Sequence, residues 1–318
     1  MPPVRLAGRT FLHVLRDGPP DADVTVVFCH GYALDHRCWH PLASMLPAAV
    51  ERPVQVVRYD HRGHGRSSRA TERTATVQQL GDDLAKVIAD VARGSVVLVG
   101  HSMGGMCLLA LAERHPELLL GRAGEVPRVA GLVLLSTGAG ELAAEVRAAT
   151  GLAVEASTGL SAVINRLMVD LEKVLGPKLF DVVTDRAHRA MTTAMRWSLF
   201  GDDPREEDVL LTLRMVRDHW PRAMAMFRPG LDAYVREAAL RVPPGTPVVG
   251  LAGERDRLVP PERVRALLQP ADGGTTIVLP GAGHMLPLEA AALVLPRVVA
   301  LVHEVQRRLG DQARQPGD

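Results

Sequence analysis

The stretch from Ser95 to Gly105 constrains the fold of this chain more than any other. It opens with an unbroken aliphatic run, Val96 to Val99, which is typical of a buried parallel strand. The segment Met106 to Arg114 that follows is predicted as a helix. A strand that turns into a helix within about five residues crowds its own backbone, and glycine relieves that crowding because it has no Cβ. The pattern Gly-x-Ser-x-Gly therefore places Ser102 at the apex of a strained turn, as in a nucleophile elbow.

Strands and helices alternate on both sides of this stretch, which predicts βαβ units and a mostly parallel central sheet flanked by helices. Further strands are predicted at residues 9–16, 24–29, 54–59, 129–136, 247–252 and 275–279, and a closing helix at residues 287–309. Between residues 140 and 240 the sequence has helical patterns only. We therefore predict an α/β core of residues 1–139 and 241–318, with residues 140–240 forming an all-helical cap (lid) inserted after the sixth strand of the core.

Composition excludes several classes of protein. The chain has 318 residues, 47% of them hydrophobic, and a net charge of +1, without the one-sided basic surface of a nucleic-acid-binding protein. Its three cysteines lack C-x-x-C spacing, which argues against a disulfide framework and a zinc site. No apolar run of about 18 residues predicts a membrane span, and no signal-peptide pattern follows the N-terminus. We expect a cytoplasmic protein with no metal, no nucleic-acid partner and no membrane span.

The partners that a serine nucleophile needs are sought at the carboxyl ends of the strands, where ligands bind in parallel sheets. The strand at 247–252 is followed by Glu254 and Asp256. Asp256, at the apex of its loop, is the expected acid, whereas Glu254 is the competing acid and is expected to brace the turn. The strand at 275–279 is followed by His284, which we expect to be the base. Chain order serine, acid, histidine is the order of one known type of catalytic triad.

The first buried strand ends in His30, Gly31 and Tyr32. In this arrangement an oxyanion hole takes one backbone N–H from the residue after the nucleophile and one from this loop. We therefore assign the N–H groups of Met103 and Tyr32 to the oxyanion hole, and Gly31 and His30 to the substrate-binding loop. His30 is expected to brace that loop by hydrogen bonds rather than transfer protons. His101, beside the nucleophile, is expected to be a packing residue.

These motifs, in this order, resemble those of the α/β-hydrolase superfamily. The resemblance rests on the sequences at residues 30–31, 60–67, 100–105, 253–256 and 283–284, and it covers about residues 10 to 136 and 245 to 308. It implies the α/β-hydrolase fold and a serine nucleophile, with no metal or organic cofactor. Haloalkane dehalogenases and epoxide hydrolases of the superfamily carry aspartate where this chain has Ser102.

The resemblance implies a carboxylic-ester hydrolase, similar to esterases and lipases, that acts through an acyl-enzyme. Thioesterase, lactonase and carbon–carbon-bond hydrolase activities stay open, as does a non-catalytic ligand-binding role. Six methionines of the predicted cap indicate an adaptable apolar wall over the substrate: Met168, Met191, Met195, Met215, Met224 and Met226. The expected partner is a small, largely apolar substrate. A homodimer is compatible with the sequence, which does not determine the oligomeric state.

Overall fold

The computed structural model describes residues 2–120, 127–138, 195–219, 245–269 and 274–314, with a few single residues between these ranges. The described part begins with a short antiparallel pair, β1 (Val4–Arg5) and β2 (Phe11–Leu12). The remaining strands form one sheet: β3 (Val14–Asp17), β4 (Val24–Cys29), β5 (Gln55–Tyr59), β6 (Ser95–His101), β7 (Val129–Leu135), β8 (Val248–Gly253) and β9 (Thr275–Leu279).

The sheet has the strand order β3-β5-β4-β6-β7-β8-β9. Its edge strand β3 runs antiparallel to β5, and all other neighbours are parallel. Every residue of β4, β6 and β7 is buried, which explains why these strands have unbroken apolar sequences. The predicted mostly parallel α/β architecture is confirmed.

Helices cover both faces of the sheet. They are α1 (His40–Ala49), α2 (Val77–Val91), α3 (Met103–Arg114), α4 (Glu117–Leu120), α5 (Glu206–His219), α6 (Pro261–Leu268), α7 (Leu286–Glu289) and α8 (Ala291–Gln312). A 3₁₀ turn, His36–Trp39, precedes α1. Helices α2 and α3 contribute to one apolar cluster, and α1, α5 and α8 to the other. The two clusters lie on opposite faces of the sheet, as the alternation of strand and helix requires.

The predicted closing helix is two helices. Helix α7 ends at Glu289, and α8 begins at Ala291 after Ala290 leaves the helical region with φ −125° and ψ 21°. Pro296 lies in the first two turns of α8 and does not interrupt it. The break therefore lies close to the loop that carries His284, where it separates a short helix from the long one that covers the sheet.

Most of the predicted cap lies outside the described residues, including Met168, Met191 and Met224. The part that is described is helical at residues 195–199 and in α5. Met215 of α5 is fully buried in the cluster that also contains α1 and α8, so it is a packing residue of the core. Met195 and Met226 are partly buried against the two clusters. The cap boundaries at residues 140 and 240 stay a prediction.

Candidate active site

Ser102 stands between the last residue of β6 and the first residue of α3, with φ 52° and ψ −118°. A non-glycine residue at positive φ is strained, and the surrounding backbone holds it there. The Ser102 N–H donates to the Leu135 carbonyl oxygen at 2.9 Å, and its own carbonyl accepts from Gly105 N–H at 2.9 Å. A Cβ on Gly104 would overlap the Cys29 carbonyl oxygen. The elbow predicted from the sequence is therefore present, with the half-buried Ser102 at its apex.

Asp256 and His284 come together from the ends of two neighbouring strands, β8 and β9. His284 Nδ1–H donates to Asp256 Oδ2 at 2.9 Å, and both residues are buried. The other carboxylate oxygen accepts the N–H groups of Leu258 at 2.9 Å and Val259 at 2.8 Å. Burial alone would raise the pKa of Asp256, but the His284 ring and the Val259 N–H outweigh it and hold that pKa below its usual value. Asp256 is thus an ionised, immobilised carboxylate behind the histidine.

The competing acid, Glu254, has a different environment. Its side chain is about half exposed, at 51% of its full accessibility, and Oε2 accepts the N–H of Gly281 at 3.1 Å. That contact fixes the turn after β9, as expected from the sequence. The carboxylate that is hydrogen-bonded to His284 belongs to Asp256 and not to Glu254.

His101 links the nucleophile turn to the histidine loop. Its Nε2–H donates to the His284 carbonyl oxygen at 2.8 Å, and the two rings lie 4.9 Å apart. Burial, followed by the neighbouring His284, lowers the pKa of His101 to about 3, so the ring is neutral. His101 is buried, as expected of a packing residue, and it also makes a hydrogen bond that the sequence did not predict. Through this hydrogen bond His101, the residue before Ser102, is joined to the backbone of the predicted base, His284.

The loop after β4 approaches this bridge closely. A Cβ on Gly31 would lie 2.8 Å from His101 Nδ1, so only glycine fits there without displacing that ring. Tyr32 is partly buried and packs against the cluster that contains α3. Met103 is the first residue of α3, where backbone N–H groups have no partner within the helix. The two residues assigned to the oxyanion hole thus lie on the loop and the helix start that the sequence predicts.

His30 is fully buried and both of its ring nitrogens are used by backbone. Nδ1–H donates to the Gly31 carbonyl oxygen at 2.8 Å, and Nε2 accepts the His61 N–H at 2.9 Å. The ring has no polar atom left for a substrate. The ring thus braces the loop by hydrogen bonds, as expected from the sequence. The assignment of His30 to the substrate-binding residues stays a prediction that no free polar atom of the ring supports.

One residue of the site was missed by the sequence reasoning. Glu289 at the end of α7 accepts the N–H of Met285 at 2.9 Å and the N–H of Gly201 at 2.8 Å. The segment before Gly201 is held in turn by the Leu199 carbonyl, which accepts the His284 N–H at 2.8 Å. Burial raises the pKa of Glu289, against the effect of these N–H groups and of His284. The sequence signal that could have identified Glu289 is its position. It is an acid five residues after the candidate base His284, at the start of the predicted closing helix.

Comparison with known proteins agrees with this geometry. A family model described as "Alpha/beta hydrolase family" matches residues 26–297, a range that contains Ser102, Asp256 and His284. The chain belongs to the alpha/beta hydrolase family. It is 36% identical to the lipase LipV of Mycobacterium tuberculosis over 124 residues, which are 39% of this chain and 41% of the lipase. The chain thus spans less than half the length of this curated relative.

Solved structures extend the likeness to the whole fold. An esterase from Thermogutta terrifontis is similar with a TM-score of 0.67 and 22% identity, covering 95% of this chain and 97% of the esterase. An enol-lactonase from Burkholderia xenovorans LB400 is similar with a TM-score of 0.65 and 23% identity, over 92% of this chain and 97% of the lactonase. At such identities these likenesses concern the fold alone. Among the described residues, no helix has the length and apolarity required to cross a bilayer.

Proposed function

We propose that this hydrolase cleaves a carboxylic ester of a small, largely apolar substrate through an acyl-enzyme on Ser102. The observation that carries the proposal is the buried 2.9 Å hydrogen bond between Asp256 and His284. These residues follow β8 and β9, which lie two and three strands from β6, the strand that ends in the Ser102 elbow. A serine hydroxyl is a weak nucleophile and needs such an oriented base. An immobilised carboxylate on Nδ1 leaves the other ring nitrogen, Nε2, as the atom for proton transfer.

In the first half of the proposed reaction, Ser102 Oγ attacks the ester carbonyl carbon while His284 Nε2 takes the hydroxyl proton. Asp256 remains ionised and stabilises the imidazolium. The tetrahedral intermediate then collapses, the bond to the alcohol oxygen breaks, and His284 returns the proton to the leaving alcohol. In the second half, water attacks the acyl-enzyme with His284 as base, and the carboxylic acid leaves as Ser102 regains its proton.

The negative charge that develops on the carbonyl oxygen needs fixed donors. We assign the backbone N–H groups of Met103 and Tyr32 to this role, because one begins α3 and the other lies on the loop that Gly31 brings against His101. The hydrogen bonds of His30 and the fit of Gly31 hold that loop in place before a substrate arrives. Such preorganisation is what makes an oxyanion hole effective.

The structural likeness to an enol-lactonase supports one second candidate, the opening of a lactone by the same steps, in which the leaving oxygen stays attached to the acyl chain. Hydrolysis of a thioester or of a carbon–carbon bond by the same serine chemistry also stays open. A homodimer and a cytoplasmic location stay predictions.

A panel of p-nitrophenyl esters from C2 to C8 and a matched set of lactones tests the proposal. We expect kcat/KM to rise from acetate to medium-chain esters and to exceed that for lactones, because the predicted pocket is apolar. Ser102→Ala should lower activity by about 10⁴- to 10⁶-fold while leaving the melting temperature unchanged, because the side chain is small and partly exposed. Lactones preferred over every ester would favour the second candidate. Activity of the variant close to wild type would refute the serine mechanism.

A further inference from the structure

A second group of polar residues lies away from the proposed triad and has no part in it. His13 lies between β2 and β3, His36 opens the 3₁₀ turn before α1, and Asp60 follows β5. One donor atom from each of the three residues lies within 4.8 Å of the other two. This group could not be predicted from the sequence. Its members are 23 and 24 residues apart and do not form a short motif with the spacing typical of metal ligands.

The backbone holds these three residues rigidly. His13 N–H donates to Ser67 Oγ at 2.8 Å, and the His13 carbonyl oxygen accepts the Asp60 N–H at 3.0 Å. Asp60 accepts the N–H of His36 at 2.8 Å and the N–H of Arg66 at 2.9 Å. The three segments that carry these residues are already fixed. Binding a ligand here therefore costs little conformational entropy.

One ring nitrogen in this group is unsatisfied. His13 Nε2 is buried and has no hydrogen-bond partner among the described residues. His36 Nδ1 lies 2.7 Å from Asp60 Oδ1, and the two imidazole rings are 5.3 Å apart at 59°. A buried nitrogen without a partner costs free energy. A ligand that accepts lone pairs would satisfy it, and the two imidazoles and the carboxylate of this group offer lone pairs to the same ligand.

We propose that His13, His36 and Asp60 form a binding site for a divalent cation of the zinc type. Two imidazole nitrogens and one carboxylate oxygen are ligands that such a cation accepts, with water from the partly exposed side as the fourth ligand. Tetrahedral zinc spaces its ligand atoms by about 3.3 Å, so the His36–Asp60 pair would open slightly and His13 would move inward. The bound ion would tie β3 to the turn that follows the Tyr32 loop.

The test is a metal titration of the untagged protein, without substrate. Protein dialysed against a chelator is titrated with Zn²⁺ by calorimetry and with Co²⁺ by visible absorption, for wild type, His13→Gln and His36→Gln. The matched control is His115→Gln, since His115 contacts Asp82 at 3.0 Å and Glu117 at 3.4 Å but has no second histidine beside it in the described structure. We expect one equivalent to bind, with a Kd weakened by more than about 100-fold in both site variants and unchanged in the control.

Zinc should also raise the melting temperature of wild type and of His115→Gln but not of His13→Gln, because a ligand that binds only the folded state stabilises it. His13→Gln should fold, since its ring makes no hydrogen bond among the described residues at Nε2. The proposal fails if wild type shows no saturable binding of one equivalent, or if His13→Gln binds as tightly as wild type. Neither result bears on the serine mechanism, because no substrate is used.

Discussion

Two regions of this hydrolase contain buried histidines and use them in different ways. At the ends of β8 and β9, His284 has a carboxylate, Asp256, on its Nδ1. Below the loop that follows β4, the partners of His30 and His64 are backbone groups, and His61 has no side-chain hydrogen-bond partner among the described residues. Burial is the largest cause that lowers the pKa of His61 to about 3 and of His64 to about 4.

The comparison teaches that burial alone does not make a histidine a general base. A ring surrounded by apolar groups and backbone is neutral at neutral pH and accepts a proton only at acidic pH. Its role is therefore to pack between loops. A ring with a carboxylate behind it is oriented, and the imidazolium that forms during reaction is stabilised. The rings compared differ in the partner of Nδ1, which is the Asp256 carboxylate for His284 and a backbone carbonyl oxygen for His30 and His64.

Among the substitutions that test this comparison, the largest effect is expected when the charge of Asp256 is removed. Asp256→Asn should lower kcat by about 10⁴-fold, because an amide at this position favours the wrong tautomer of His284. Glu254→Gln, two residues earlier, should cost less than about tenfold, since that side chain only fixes the turn at Gly281. Steady-state kinetics of both variants at matched melting temperature measure the difference. If Glu254→Gln proves more damaging, the acid is misassigned.

A smaller effect is expected at Glu289, which holds the loop of His284 through the N–H groups of Met285 and Gly201. Glu289→Gln keeps the shape but removes a negative charge near His284 and one of the two oxygens that accept backbone N–H groups. We expect kcat to fall by about 10- to 100-fold with KM nearly unchanged, as for loss of a group that orients a base. The pH midpoint of kcat/KM should move to lower pH, because the imidazolium loses a favourable charge.

The control for this variant is Glu262→Gln, an exposed acid in the first turn of α6. It should leave kcat and the pH midpoint as in wild type. A Glu289→Gln enzyme with reduced kcat but an unmoved pH midpoint would mean that Glu289 supports the fold of the loop and does not act on His284.

The smallest effect concerns stability in acid. The pKa values of His61, His64 and His101 are about 3 to 4 in the folded protein and 6.5 in an unfolded chain. Between pH 6.5 and pH 4 the unfolded chain therefore binds protons that the folded chain does not, so the free energy of unfolding falls as pH falls. Urea unfolding at pH 7.5, 6, 5 and 4 should show this decrease.

His61→Phe sharpens that test, because the ring of His61 makes edge contacts with Tyr59 and His30 but no side-chain hydrogen bond. The variant should match wild type at pH 7.5 to within about 1.5 kcal/mol. It should lose less stability than wild type on going to pH 5. Equal losses in both proteins would show that His61 is not one of the groups responsible.

The sequence predicted what local pattern determines. Apolar runs located six of the seven predicted strands to within about two residues. The predicted strand at residues 9–16 is instead two short strands, β2 and β3, which belong to different sheets. The rule that ligands bind at the carboxyl ends of parallel strands selected Asp256 and His284, which the structure joins by a hydrogen bond. Glycines that a tight turn requires indicated Ser102, which does have a positive φ. The inferences about the strands and about the conformation of Ser102 succeeded because each depends on residues that are neighbours in the chain. The catalytic roles of Asp256 and His284 stay a prediction.

What the sequence did not reveal depends on contacts between distant segments. The bridge from His101 to the His284 carbonyl joins residues 183 apart, and Glu289 reaches Gly201 across 88 residues. The break at Ala290 within the predicted closing helix belongs to the same group, because helix propensity alone gives no reason for it. Tertiary hydrogen bonds decide such features, and residue type alone does not.

The central claim is that Ser102 is the nucleophile and His284, oriented by Asp256, its base. Its most direct test is labelling of the wild type and of Asp256→Asn with a serine-directed alkyl phosphonate, followed by peptide mass spectrometry. We expect one adduct per chain, on Ser102, forming about 10³- to 10⁴-fold more slowly in Asp256→Asn because the base is misoriented. An adduct on another residue, or equal rates in the two proteins, would contradict the account.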